Sequence, residues 1–208
     1  MRKNVLKILD LPSSSINAAL IIMSIVFFAG GVAGCIFAHR ANAEGQTALS
    51  GYLDGFLRAI LSGELIKPAF ISLWWKAIRW PLFAFFLGLT PVGLVGIPIL
   101  VLMRSFLLSF SVASFFEILG AKGLLFAFSA LGITGLAYIP ILFLCGIRGF
   151  LNSGSIVGRI TGENRHGVDL NRSYFLCCTI GFVILSAFCF VEHSIGAVLL
   201  KTASELLF

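Results

Sequence analysis

The chain is a succession of long apolar blocks separated by short charged ones. Residues 11–38, 80–103, 123–147 and 173–191 contain no Asp, Glu, Lys or Arg. At a rise of about 1.5 Å per residue, each block can cross a hydrocarbon core of about 30 Å as a helix. None has the apolar–polar alternation of a membrane β-strand, so the pattern predicts an all-α integral membrane protein.

The stretch 80–116 decides the number of spans. It has one charge, Arg104, and three prolines, Pro81, Pro91 and Pro98. Proline lacks a backbone donor and clashes with the preceding turn, so Pro91 with Gly93 and Gly96 predicts a break near 90–96. A break there gives five spans instead of four. With a cytoplasmic N-terminus, five spans keep Arg148, Arg159, Arg165 and Arg172 inside, as basic residues prefer. Arg40, Arg58, Lys67, Lys76 and Arg79 fall outside under either count. The predicted helices run at about 16–38, 74–90, 96–116, 123–147 and 173–199, in a single multi-pass domain over 1–208 in the cell membrane. Helices two and three are short or broken by Pro and Gly. Broken helices line solute sites in transporters, and they also occur where helices merely pack.

The loop 39–73 is external in this map. Within its segment 45–63, Leu49, Leu53, Phe56, Leu57, Ile60 and Leu61 share one helical face, with Asp54 and Arg58 spaced i,i+4 on another. This predicts an amphipathic helix on the outer membrane surface, whose apolar face could equally dock a partner.

Composition sharpens this picture. The chain is 59% apolar, with a mean hydropathy of +1.03, against about 45–50% apolar for a soluble domain. A soluble chain of 208 residues has no interior large enough for that much Leu, Phe and Ile. The net charge of +6 comes from basic residues lying between the apolar blocks. There they set topology and touch anionic headgroups, so the bilayer is the expected partner and nucleic acid is not. All five cysteines, Cys35, Cys145, Cys177, Cys178 and Cys189, lie inside apolar blocks with no CxxC pair, which predicts buried, reduced thiols. No metal or cofactor is expected.

The N-terminus imitates two processing signals. Arg2, Lys3 and Lys7 precede an apolar run, and Ala41-Asn42-Ala43 resembles a cleavage site. That run far exceeds the ~7–15 residues of a signal core, which predicts a retained first helix. Val32-Ala33-Gly34-Cys35 resembles a lipoprotein box, but apolar residues follow the cysteine. Gly30, Gly31 and Gly34 leave one face of helix one nearly bare, a small-xxx-small surface for close helix packing. Self-association into an oligomer stays open.

A series of motifs then appears in order. Tyr52-Leu53 and Phe56-Leu57 are followed by Trp74-Trp75-Lys76, Leu87-Gly88-Leu89-Thr90-Pro91-Val92-Gly93 and Ile97-Pro98. Arg104-Ser105-Phe106, Lys122-Gly123-Leu124-Leu125 and Tyr138-Ile139-Pro140 complete it. The series resembles the stage II sporulation protein M family of bacterial membrane proteins over about residues 20–150. Ser105 departs from the pattern, in which a glycine follows the basic residue and permits a close helix contact. The resemblance implies a scaffold that holds two extracytoplasmic peptidoglycan hydrolases, of amidase and transglycosylase type, during engulfment. Related proteins occur outside spore formers, so it implies a scaffold more firmly than sporulation.

The chain carries no Gly-x-Ser-x-Gly, His-Glu-x-x-His or phosphate-loop motif and is not expected to be an enzyme. Asn152-Ser153-Gly154 and His166 fall in what reads as a polar, Arg-rich loop. Arg104 reads as an arginine snorkelling to the cytoplasmic end, or else as a polar contact to helix two or a pathway residue. Glu117 and Lys122 bracket a short turn as an interfacial ion pair. Glu192-His193 reads as a structurally satisfied pair within helix five. The competing function is a transporter or permease subunit, which requires a water-accessible path converging on Arg104, Glu117 or Glu192.

Overall fold

The computed structural model describes residues 13–40, 70–162 and 170–205, together with Thr47, Gly51 and Gly55. The residues Leu49, Leu53, Phe56, Leu57, Ile60 and Leu61 lie outside the described residues. Among the described residues five long helices carry the fold: α1 (Ser13–His39), α2 (Phe70–Gly88), α3 (Gly93–Leu119), α4 (Ala121–Ile160) and α5 (Leu170–Glu205). All five contain a stretch long and apolar enough to cross a membrane.

The break between α2 and α3 falls where proline predicts it. Leu89, Thr90, Pro91 and Val92 form the turn, and α3 starts at Gly93. Two bounds differ in consequence. α2 begins at Phe70, which makes it 19 residues long. At about 28 Å that suffices for a full crossing. α3 is an unbroken 27 residues with Pro98 inside it. Pro98 is the sixth residue of α3, so it forgoes the bond that an N–H there would make to the Leu94 carbonyl, and the helix continues past it.

The larger correction concerns α4, which runs for 40 residues to Ile160 and absorbs the tract expected to be a loop. Arg148, Asn152, Ser153 and Arg159 are therefore helical. The α3–α4 junction is a single residue, Gly120. Its φ of 62° suits a residue without Cβ, and its N–H reaches back to the Phe116 carbonyl at 2.8 Å.

Contacts along the helices give their direction. Met23 of α1 packs with Ile97 and Val101 of α3, and His39 at the end of α1 meets Glu117 near the end of α3. These two helices therefore run parallel. The end of α2 meets Gly149 of α4 and Tyr174 of α5, so the five helices alternate in direction. The N-terminal end of α1, the α2–α3 turn and the α4–α5 connection share one end of the bundle. The end of α1, the start of α2, the α3–α4 hairpin and the end of α5 share the other.

α4 is the central helix: 44% of its spanning window is buried, against 17–28% in the other four. Leu142, Cys145, Tyr174, Cys178 and Leu185 lie in the middle of the core. Outward-facing Phe28, Ile25, Val183 and Phe190 are about two-thirds exposed or more. Such a belt of bare apolar side chains is what lipid solvates. Cys35 belongs to this exposed face, unlike the buried Cys145, Cys178 and Cys189. Its neighbour Gly34 takes the inward position against α3.

Candidate functional site

Three polar or close-packed features stand out from the apolar bundle. The first is the seam between α1 and α3. A Cβ on Gly30 would lie 2.5 Å from the Leu102 carbonyl oxygen, and one on Gly34 would lie 2.5 Å from that of Phe106. The two backbones are in contact at those points. Ser105, fully buried, donates from its hydroxyl to the Phe27 carbonyl at 2.5 Å. The close approach thus exists with serine at 105, and the hydroxyl adds an interhelical hydrogen bond. Phe37 continues the seam against the Phe106 and Phe110 rings at 5.8 and 6.0 Å. At its far end Glu117 Oε1 meets His39 Nδ1 at 2.9 Å. Glu117 is therefore tied to α1. The side chain of Lys122 lies outside the described residues.

The second feature is a polar knot around the α2–α3 turn. Asn152 Nδ2 donates to the Gly88 carbonyl at 2.8 Å. Ser153 Oγ reaches the carbonyls of Thr90 and Pro91 at 2.7 and 3.0 Å. The Tyr174 hydroxyl donates to the Phe85 carbonyl at 2.8 Å. The Leu89 N–H turns back to Phe86, so the regular helical partner of Phe85 is lost and tyrosine replaces it. A helix end inside a low-dielectric bundle must satisfy such carbonyls or lose free energy. Ser153 is thus a structural donor, and His166 lies outside the described residues.

The third feature is a cavity of about 140 Å³ between α2, α3, α4 and α5, lined by Lys76, Arg104, Tyr138 and Glu192 together with apolar residues. Arg104 does not snorkel to the nearer end of α3. Its guanidinium carbon lies 4.7 Å from the centre of the Tyr138 ring and 6.0 Å from that of Trp80. Both distances are within cation–π range. Among the described residues, the Arg104 Nε–H and the buried Tyr138 hydroxyl find no hydrogen-bond partner. The His193 ring lies edge-on to Phe70 at 5.9 Å.

Of the residues singled out from sequence, the structure brings Arg104 and Glu192 to this cavity and places Gly30 and Gly34 on the seam. It leaves Glu117 apart at the end of α3. Tyr138, Asn152 and Tyr174 were not identified from the sequence as contacts. A tyrosine within an apolar helix is the signal that points to the first and last of them, because its hydroxyl needs a partner.

These features define a polytopic helical membrane protein whose junctions carry its polar contacts. Its sequence matches the family model of Stage II sporulation protein M over residues 23–192, from the first to the fifth helix, and the chain belongs to that family. No curated protein and no solved structure matches the chain.

Proposed function

We propose that the protein is a non-enzymatic membrane scaffold that holds peptidoglycan hydrolases against the extracytoplasmic face of the membrane. Family membership across 23–192 carries this reading. The arrangement of the bundle supports it. The end of α1, the start of α2, the α3–α4 hairpin and the end of α5 lie at one end of the bundle, where several segments can form a joint docking surface. The α1–α3 seam and the polar knot brace the helices behind that surface.

The test is co-purification of an amidase- or transglycosylase-type hydrolase with the full chain. Replacing Phe56 and Leu57 with Ser removes two apolar groups, each contributing about 1.5–3 kcal/mol when buried. The double variant is expected to lose the hydrolase at unchanged protein level, whereas Arg104→Gln retains it. Undiminished co-purification in the double variant would remove segment 45–63 as the docking face. No hydrolase with the wild-type chain would remove the scaffold.

A permease subunit is the second reading, favoured by one observation: Arg104 and Glu192 line the same cavity. The opposite end of these helices is closed where Gly88, Gly149 and Tyr174 touch. A through-path would require that contact to part, so the cavity fits binding better than passage.

A further inference from the structure

We propose that the cavity between α2, α3, α4 and α5 binds a phosphate-type oxyanion, supplied by a phospholipid headgroup or by free phosphate. The inference does not depend on the scaffold reading.

The wall chemistry selects an anion. Lys76 and Arg104 bring two cations to one carboxylate, Glu192. Tyr138 is only 3% exposed, and yet among the described residues its hydroxyl has no hydrogen-bond partner, nor has the Arg104 Nε–H. Buried donors left unpaired cost about 1–3 kcal/mol each, more when charged, and both belong to residues that line the cavity. An oxyanion accepts from both and from the Lys76 ammonium. Arginine presents several donors in a fixed fork that matches phosphate oxygens. The volume of about 140 Å³ exceeds a single water, whose share of the liquid is about 30 Å³, and accommodates a phosphate group.

Depth makes the site reachable. Lys76 lies under two turns from the start of α2 at Phe70, or about 9 Å. That is the depth of a lipid headgroup and glycerol backbone if α2 starts at the interface. The α3–α4 hairpin continues well past this level, since Leu108 and Gly135 already face the cavity while the turn is at Gly120. The long hairpin therefore walls the cavity on the side of Leu108 and Gly135.

All three tryptophans of the chain, Trp74, Trp75 and Trp80, are on α2, which supplies an intrinsic reporter. Inorganic phosphate titrated into the purified full-length chain in detergent is expected to give a saturable fluorescence change. Half-saturation should rise about tenfold or more in Arg104→Gln and a few-fold in Tyr138→Phe. It should not move in Ser111→Ala, whose hydroxyl bonds within its own helix. In the lipid arm, native mass spectrometry follows chain extracted from vesicles of phosphatidylglycerol and phosphatidylcholine. A retained phosphatidylglycerol that disappears in both cavity variants, with no response to inorganic phosphate, assigns the headgroup as the source. Phosphate response without retained lipid assigns the free anion. If Arg104→Gln does not elute as a folded species, Tyr138→Phe alone decides. Absence of both signals in the wild type, or equal signals in wild type and folded variants, would overturn the proposal.

Discussion

Ser105 illustrates how a single side chain sets a helix contact. Its hydroxyl bonds the Phe27 carbonyl, which also remains within reach of its own helix, so removing the serine leaves no acceptor stranded. Ser105→Gly should therefore cost only about 0.6–1.7 kcal/mol, the range for hydrogen bonds between membrane helices. Gly34→Val is a different perturbation. Its Cβ would press within 2.5 Å of the Phe106 carbonyl oxygen and 3.0 Å of the Phe110 nitrogen, where backbone must move. Overpacking of this kind costs about 1–3 kcal/mol or more. Thermal unfolding in detergent should lower the midpoint more for Gly34→Val than for Ser105→Gly. The reverse order would contradict the seam as described. The small-residue spacing made this face legible in the sequence, because a run of glycines reports available space directly. The partner strip on α3 was not legible, since Leu102, Phe106 and Phe110 read as ordinary apolar residues.

At the scale of elements, the α2–α3 turn was readable and its bracing was not. Pro91 and the nearby glycines act locally, so a break could be placed from sequence alone. Asn152 and Ser153 act on carbonyls more than 60 residues away. Local pattern therefore records them only as polar residues among arginines, which is how a loop looks. The structure gives Ser153 a role that a loop position would not have. Its hydroxyl ties α4 to the Thr90 and Pro91 carbonyls, which also accept from the Gly93 and Leu94 N–H groups, so its loss should lower stability by about one hydrogen bond. Tyr174→Phe should destabilise the purified protein by about 1–3 kcal/mol, because the Phe85 carbonyl loses its donor, and Ser153→Ala by about 0.5–1.5 kcal/mol. Ser155→Ala should have little effect, since that hydroxyl bonds the Asn152 carbonyl one turn back in its own helix. Midpoints of thermal unfolding check the comparison, and equal loss at 153 and 155 would deny the turn its special role. Arg104 was legible as an isolated charge, but not its direction. Only the packed bundle reveals that Tyr138 and Trp80 receive the guanidinium.

For the whole molecule, five helices of alternating direction put the N-terminal end of α1 and the α4–α5 connection at one end. Hydropathy and proline placement anticipated that parity, because lipid demands continuous apolar helices. Which end faces the cytoplasm is an electrostatic question. The basic residues Lys76 and Arg79, counted as external, lie within α2, as the predicted helix 74–90 already had them, which weakens the charge excess outside. Arg159 and the basic residues at 165 and 172 remain around the α4–α5 connection. The positive-inside rule therefore predicts a cytoplasmic connection and N-terminus. The scaffold proposal requires this orientation, since wall hydrolases can meet only segments on the outer side. Cysteine accessibility in intact cells, with the five native cysteines replaced, tests it most directly. Ala121 at the α3–α4 hairpin and Thr161 after α4 are both exposed. A membrane-impermeant thiol reagent should label Ala121→Cys and leave Thr161→Cys protected until the cells are opened. Labelling of Thr161→Cys with protection of Ala121→Cys would invert the protein and remove the scaffold reading, and labelling of both from outside would contradict the alternating bundle itself.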